Sequence, residues 1–233
     1  MGDTSLEYFK MFYKICRSIC YLVVILFWSL KIKGGNFVNH KGPLILAANH
    51  VSYLDPVIVG ISVKRPIIFI AKKEVFDIPI LSFILRKLGV IPVDKKNINP
   101  ASVKKIITLL KKGHIIGIFP EGTRSLNGQL LKLNSGMIKI ALQTNAPIIP
   151  IGINGTFDIY PPHAKIPAFF KRKNIYVNFG KPIHLDSSKR KDAEYLEESL
   201  QKIEQEIKEL TQLSPKNKLY EKSGEVKFYA NHK

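Results

Sequence analysis

Residues 44–56, LILAANHVSYLDP, run from an unbroken apolar segment into a polar turn holding one histidine and one aspartate. The first half reads as a strand buried on both faces, since it lacks the alternation of a half-exposed one. The same pattern recurs along the chain: RPIIFIA (65–71), GVIPV (89–93), HIIGIFP (114–120), APIIPIGI (146–153) and NIYVNFG (174–180). Pro92 marks an edge or a bulge in GVIPV, because proline cannot donate to a sheet ladder. Helical patterns separate the strands, which predicts an α/β fold: a mostly parallel central sheet flanked by helices.

The clearest helix is 100–112, with Val103, Ile106, Ile107 and Leu110 on one stripe. Asn99 is its natural cap, Pro100 suits its first turn and Gly113 its end. Residues 78–88, IPILSFILRKL, are apolar almost throughout and read either as a core helix or as a membrane-facing one. Residues 190–211 form a charged helix with a stripe of Leu196, Leu200, Ile203, Ile207 and Leu210. The chain beyond Pro215 lacks periodicity and reads as a tail.

With 36 Lys and Arg against 18 Asp and Glu, the 233-residue chain carries a formal charge of +18. Such an excess points to an anionic partner: nucleic acid, a phospholipid surface or a phosphorylated substrate. The lysines are dispersed rather than interleaved with aromatics, which argues against nucleic acid. Cys16 and Cys20 make neither a disulfide framework nor a four-thiolate metal site. Between Arg17 and Lys31 lie thirteen uncharged residues, SICYLVVILFWSL, where a span needs ~20. Cationic flanks (Lys14, Arg17, Lys31, Lys33) and the interface-seeking Tyr21, Phe27 and Trp28 predict a retained helix on or dipping into one leaflet. A true span and a buried core helix are the alternatives.

Three polar clusters each follow a predicted strand, where open α/β sheets form their sites. In the first, His50 and Asp55 are five residues apart. On one continuous helix they would point ~140° away from each other, so they meet only if the chain turns between them. Asp55-Pro56 also reads simply as a helix start with the aspartate as cap. The second cluster, FPEGTRS (119–125), holds Glu121 and Arg124; it reads either as a turn with an internal ion pair or as a phosphate-binding edge. The third, GVIPVDKK (89–96), puts Lys95 and Lys96 after a strand, where solvated lysines are common. The sequence contains no phosphate-loop, dinucleotide or GxSxG pattern, and its histidines lack metal-ligand spacing.

Taken in order, NHVSYLD, GVIPVDK, FPEGTRS and APIIPIGI resemble the four blocks of the glycerolipid acyltransferase family, over roughly residues 40–180. The resemblance implies a catalytic histidine at His50 and its partner at Asp55. It implies an acceptor-binding glycine and basic residue at Gly89 and Lys95. The family usually has arginine at the latter position; lysine keeps the charge but loses the planar fork. Glu121, Gly122, Thr123 and Arg124 fall on the block that shapes the acceptor-phosphate site. Pro147 and Pro150 fall on the last block, which is structural or on the acyl side. The implied domains are a membrane-attachment element at 1–38, an acyltransferase domain at 39–213 and a tail at 214–233.

The implied reaction moves a fatty acyl group from an acyl carrier protein or coenzyme A thioester to the sn-2 hydroxyl of lysophosphatidate, giving phosphatidate. It needs no metal or redox cofactor, and Ser52 is a structural residue or a helper rather than a nucleophile. Backbone N–H groups near the His50 turn are the expected oxyanion donors. The implied setting is the cytoplasmic face of the cell membrane, with a phospholipid surface as partner. One alternative acceptor is glycerol-3-phosphate, another a different lysophospholipid. A non-catalytic basic module binding membrane or nucleic acid would leave the ordered blocks unexplained.

Overall fold

A computed structural model describes residues 3–94, 99–170 and 172–213. In chain order the elements are α1 (Asp3–Phe27), β1 (Ser29–Lys33), β2 (Leu44–Ala48), α2 (Asp55–Ser62), β3 (Ile67–Lys72), α3 (Pro79–Lys87), β4 (Ile91–Val93) and α4 (Pro100–Lys111). They continue with β5 (Ile115–Ile118), α5 (Gly136–Thr144), β6 (Ile148–Asn154), α6 (Thr156–Ile159), β7 (Asn174–Phe179) and α7 (Ala193–Gln212). All seven strands form one sheet in the order β1-β7-β6-β2-β5-β3-β4. The five strands β6, β2, β5, β3 and β4 are parallel; β7 runs antiparallel to β6 and carries β1 parallel to itself. The expected α/β architecture is therefore present, and every predicted strand is found.

Both faces are covered, as the unbroken apolar strands require. Ile45, Ile116 and Ile148 point into one core with α4, α5 and α7. Leu46, Ile115, Ile149 and Ile151 point into the other, against α1 and α2. The predicted cap of α4 forms, with Asn99 Oδ1 accepting the Ala101 N–H at 2.9 Å. The stripe foreseen on residues 190–211 is the buried face of α7, where Leu200, Ile203, Ile207 and Leu210 pack on the sheet.

The N-terminal region differs from the reading that set a boundary at residue 38. Residues 29–33 are a strand in register with 174–178, so the sheet begins ten residues before 39. Trp28, expected at a membrane interface, is 4% exposed and lies in the core. Arg17, read as a cationic flank, donates instead to the Val63 and Ile61 carbonyls at 2.9 and 3.2 Å, completing the C-terminal end of α2. Tyr13 adds a further clamp, its hydroxyl accepting the Ile67 N–H at 3.2 Å.

Only one side of α1 is used in this way. Tyr8, Met11, Ile15, Ile19, Leu22 and Leu26 recur at intervals of three and four and are all exposed, so they form a single outward stripe. Helix α3 is not a core helix either: none of its residues is buried, and Ile80 and Phe83 stand exposed beside Arg86 and Lys87. Among the described residues, no helix is long and apolar enough to cross a membrane.

Candidate active site

The turn that closes LILAANHVSYLDP brings its two titratable groups together. His50 Nδ1 lies 2.8 Å from Asp55 Oδ2. The geometry follows from a tight turn over Ser52–Asp55, in which both side chains bond to backbone N–H groups a few residues away. Ser52 Oγ accepts the Leu54 N–H at 3.1 Å, and Asp55 reaches back to the Ser52 N–H at 2.8 Å and the Val51 N–H at 2.7 Å. Asp55 is thus the first residue of α2 rather than its cap. The backbone bonds of the turn and the histidine contact coexist in one carboxylate.

Asp55 is fully buried, while the His50 side chain keeps 18% of its surface accessible. A buried carboxylate needs several donors to offset its desolvation. Oδ2 accepts from His50 and two backbone N–H groups, and Oδ1 accepts from Thr156 Oγ1 at 2.7 Å. An acceptor-only carboxylate puts the imidazole proton on Nδ1 and leaves the Nε2 lone pair as the free end. Thr156 starts α6 just past β6, one of the two strands that pair with β2. It escaped the sequence reading although it obeys the same rule, a polar residue at a strand's carboxyl end. Asn49 joins the same two strand ends, bonding the Ile153 N–H and carbonyl at 2.7 and 3.0 Å.

The other neighbour of β2 is β5, and FPEGTRS follows it. Glu121 is 3% exposed and commits both oxygens to backbone: Oε1 to the His50 N–H at 2.6 Å, Oε2 to the Leu131 N–H at 2.8 Å. It is therefore a strut under His50 rather than half of an ion pair with Arg124. Gly122 makes this turn possible, since its φ of 66° is the left-handed conformation. Thr123 sits between them, partly exposed. The Arg124 guanidinium lies 3.5 Å from the Tyr53 ring centroid, a cation–π contact. Its Nη1 is buried with no hydrogen-bond partner. Ser125 N–H donates to the His50 carbonyl at 2.8 Å, holding this turn against the first.

Phe119 stacks on the His50 ring with centroids 4.1 Å apart, and Phe69 stacks behind Phe119 at 6.0 Å. Phe69 occupies the place a side chain at Gly117 would fill: an added Cβ there would meet it at 2.4 Å. The N–H groups of His50, Val51 and Ser52 are all taken by carboxylates. These three therefore do not serve as the oxyanion donors expected near the turn. Ser52 Oγ donates to the Tyr160 carbonyl at 2.7 Å and is wholly buried, which fits its structural reading.

Burial pushes the Glu121 carboxyl from its ordinary 4.5 up to about 7, against the pull of the Leu131 and His50 N–H groups; negative charge on Asp55 and Glu204 adds to the rise. A carboxyl that holds its proton more tightly folded than unfolded favours the folded state most at low pH. That contribution is complete below about 4.5 and lost as pH rises to about 7. At 1.36 kcal/mol per pKa unit, the interval amounts to about 3 kcal/mol. Urea unfolding at a series of pH values should show this downward slope in the wild type and its absence in Glu121→Gln. Equal slopes in both proteins would remove Glu121 as the cause.

Gly89 lies elsewhere: it is the left-handed turn (φ 70°) joining α3 to β4, against Phe9 of α1. Strand β4 is the sheet edge, three positions from β2, or about 14 Å at ~4.8 Å per strand. Lys95 lies outside the described residues.

The acyltransferase family profile matches residues 29–154, which start at β1 and end at β6, enclosing both turns. A 1-acyl-sn-glycerol-3-phosphate acyltransferase of Bacillus subtilis (strain 168) is 30% identical over 85% of this chain and 96% of its own length. One from Streptococcus pneumoniae is 29% identical over 88% of this chain and 75% of its own. Among solved structures, the 1-acyl-sn-glycerophosphate acyltransferase PlsC of Thermotoga maritima superposes with a TM-score of 0.72 at 25% identity, covering 90% of this chain and 81% of that one. With this match over more than half of its length, a near full-length relative and a shared fold, the chain belongs to the acyltransferase family.

Proposed function

We propose that the protein acylates the sn-2 hydroxyl of lysophosphatidate from an acyl carrier protein or coenzyme A thioester, with His50 as general base and Asp55 as its partner. The observation that carries the reading is the 2.8 Å His50–Asp55 contact, with the carboxylate buried and the imidazole partly accessible. An alcohol is a poor nucleophile at neutral pH, and His50 Nε2 takes its proton as its oxygen bonds to the thioester carbon. Asp55 holds the tautomer and stabilises the imidazolium. As the tetrahedral intermediate collapses, the C–S bond breaks and the thiolate takes the proton back. The chain acylates no residue of its own, and the reaction requires no metal or redox partner.

Arg124 is the natural holder of the acceptor phosphate. It has a buried N–H group without a partner, its plane is fixed on Tyr53, and the following residue bonds to the His50 carbonyl. A planar fork held on an aromatic ring, with a buried N–H group still to be satisfied, suits a phosphate. Gly122 and Thr123 shape that turn; the roles of Gly89 and Lys95 in acceptor binding rest on the resemblance alone.

The outward stripe of α1 and the exposed apolar tip of α3 support a position on the membrane surface; its assignment to the cytoplasmic face rests on the resemblance alone. The protein's positive charge supports the same position. Lifting an acyl chain into water costs about 0.8 kcal/mol per methylene, and an enzyme lying in the interface avoids that step.

The test is phosphatidate formation by the purified protein in lipid micelles, with a panel of acceptors for one donor. Turnover of glycerol-3-phosphate in preference to lysophosphatidate would move the assignment to the alternative acceptor. In Arg124→Ala the KM for lysophosphatidate should rise about 10- to 100-fold, the 1.5–3 kcal/mol of a charged hydrogen bond, with the thioester KM unchanged. Loss of thioester affinity with unaltered acceptor kinetics would deny Arg124 this role.

A further inference from the structure

Ile166 and Phe170 are 74% and 98% exposed, yet they belong to a loop that the molecule holds in place. Phe169 packs edge-on against Phe27 at 5.0 Å and stacks on Trp28 at 5.5 Å. Trp28 Nε1–H donates to the Ala168 carbonyl at 3.2 Å, and the Ala168 N–H to the Ile159 carbonyl at 2.8 Å. At the loop's other end, the Tyr160 carbonyl accepts Ser52 Oγ–H, and its ring lies 5.3 Å from that of Tyr53. One phenylalanine of the adjacent pair is thus an anchor, and the other stands in water. On an anchored loop it cannot fold away, so only a partner relieves the exposure.

Three features select a bilayer leaflet over a second copy of the chain. The loop abuts the C-terminal end of α1 through Phe27 and Trp28, the end at which Leu22 and Leu26 are 62% and 71% exposed, so exposed apolar groups of two separate segments share one end of that helix. Exposed Lys165 and Arg172 flank the apolar pair, the arrangement that suits an anionic headgroup layer. A net charge of +18 opposes pairing of like surfaces.

We infer that the loop spanning residues 160–170 is a second bilayer-inserting element, whose Ile166 and Phe170 enter the leaflet beside the C-terminal half of α1. The inference rests on the proposed membrane position of α1. Its consequence is orientation. The same loop grips α1 through Phe169 and the His50 turn through Tyr160, so its insertion brings His50 and Arg124 to headgroup level. That is where the phosphate of a membrane-borne lysophosphatidate lies.

The test uses the full chain and vesicles of phosphatidylglycerol and phosphatidylcholine. In Phe170→Trp, the added indole should shift to the blue on vesicle binding and be quenched by brominated acyl chains; the native Trp28, already buried, is the background to subtract. Phe170→Asp should weaken vesicle partition about tenfold, the loss of one buried aromatic side chain. It should raise the KM for long-chain lysophosphatidate in vesicles by a similar factor and leave a short-chain, monomeric acceptor unaffected. An added indole that stays water-like on protein-loaded vesicles overturns the inference and leaves α1 as anchor. A changed oligomeric state in Phe170→Asp with unaltered partition also overturns it, assigning the surface to a second copy. The double variant Leu22→Asp/Leu26→Asp tests the reading beneath: wild-type partition there removes α1 as anchor, whatever the added indole reports about the loop.

Discussion

His50→Ala should lower acyl transfer by about 10²–10⁴-fold, the usual worth of a positioned general base, while the protein stays folded. The second half of this expectation follows from the neighbours. When the imidazole is removed, Asp55 still accepts from the Val51 and Ser52 N–H groups and from Thr156 Oγ1, so no buried charge is stranded. The ring's other large contact is the stack on Phe119, and its loss leaves a space open to water because His50 is already partly accessible. The expected stability loss is therefore about 1 kcal/mol, one hydrogen bond's net worth. Phosphatidate formation and thermal unfolding on the same preparation check both halves. Near-normal turnover in a folded His50→Ala protein would end the histidine-base reading.

How far the sequence could be read depends on the range of the interactions involved. The strands from Leu44 onward were visible because a sheet covered on both faces demands uninterrupted apolar runs, and that demand is local. Strand β1 was not, because Ser29–Lys33 continues an apolar stretch and shows its nature only in its pairing with β7, 145 residues away in the Ser29–Asn174 register. Arg17 shows the same limit: a cation beside an apolar run looks like a membrane flank until the unpaired carbonyls of α2 appear beside it.

At the site, the His50–Asp55 contact was half legible. The five-residue spacing demanded a turn, and Ser52-x-x-Asp55 specifies one with bonds that span only a few residues. What completes the site comes from two other strand ends, Glu121 beyond β5 and Thr156 beyond β6, and β2 lies between these strands. The resemblance assigns Glu121 to the acceptor site, and its structural task is invisible in sequence because its partners are backbone N–H groups that carry no side-chain signature. Gly89 illustrates the reverse case: the structure gives it a local task, a left-handed turn at the sheet edge, the common role of a glycine that follows a helix.

Asp55 should separate fold from chemistry more sharply than His50 does, because its two oxygens serve both. Asp55→Ala leaves two backbone N–H groups and the Thr156 hydroxyl buried without an acceptor. At about 1–3 kcal/mol each, the loss of stability should exceed about 3 kcal/mol, and little folded protein is expected. Asp55→Asn is nearly isosteric. Its carbonyl oxygen takes the place of Oδ2 against Val51, Ser52 and His50, and its amide donates to Thr156 Oγ1, which turns to accept. The fold should then survive with a loss of only about 1–2 kcal/mol, one charged bond exchanged for a neutral one. Activity should still fall about 10²–10⁴-fold, because a neutral amide does not stabilise the imidazolium formed when the acceptor hydroxyl is deprotonated. The double variant His50→Ala/Asp55→Asn decides whether the two act as one unit. If Asp55 works through the imidazole, it has nothing left to assist once His50 is gone, and the double variant should be no slower than the worse single one. Multiplying losses in a folded double variant would show instead that Asp55 contributes by a route that does not pass through His50.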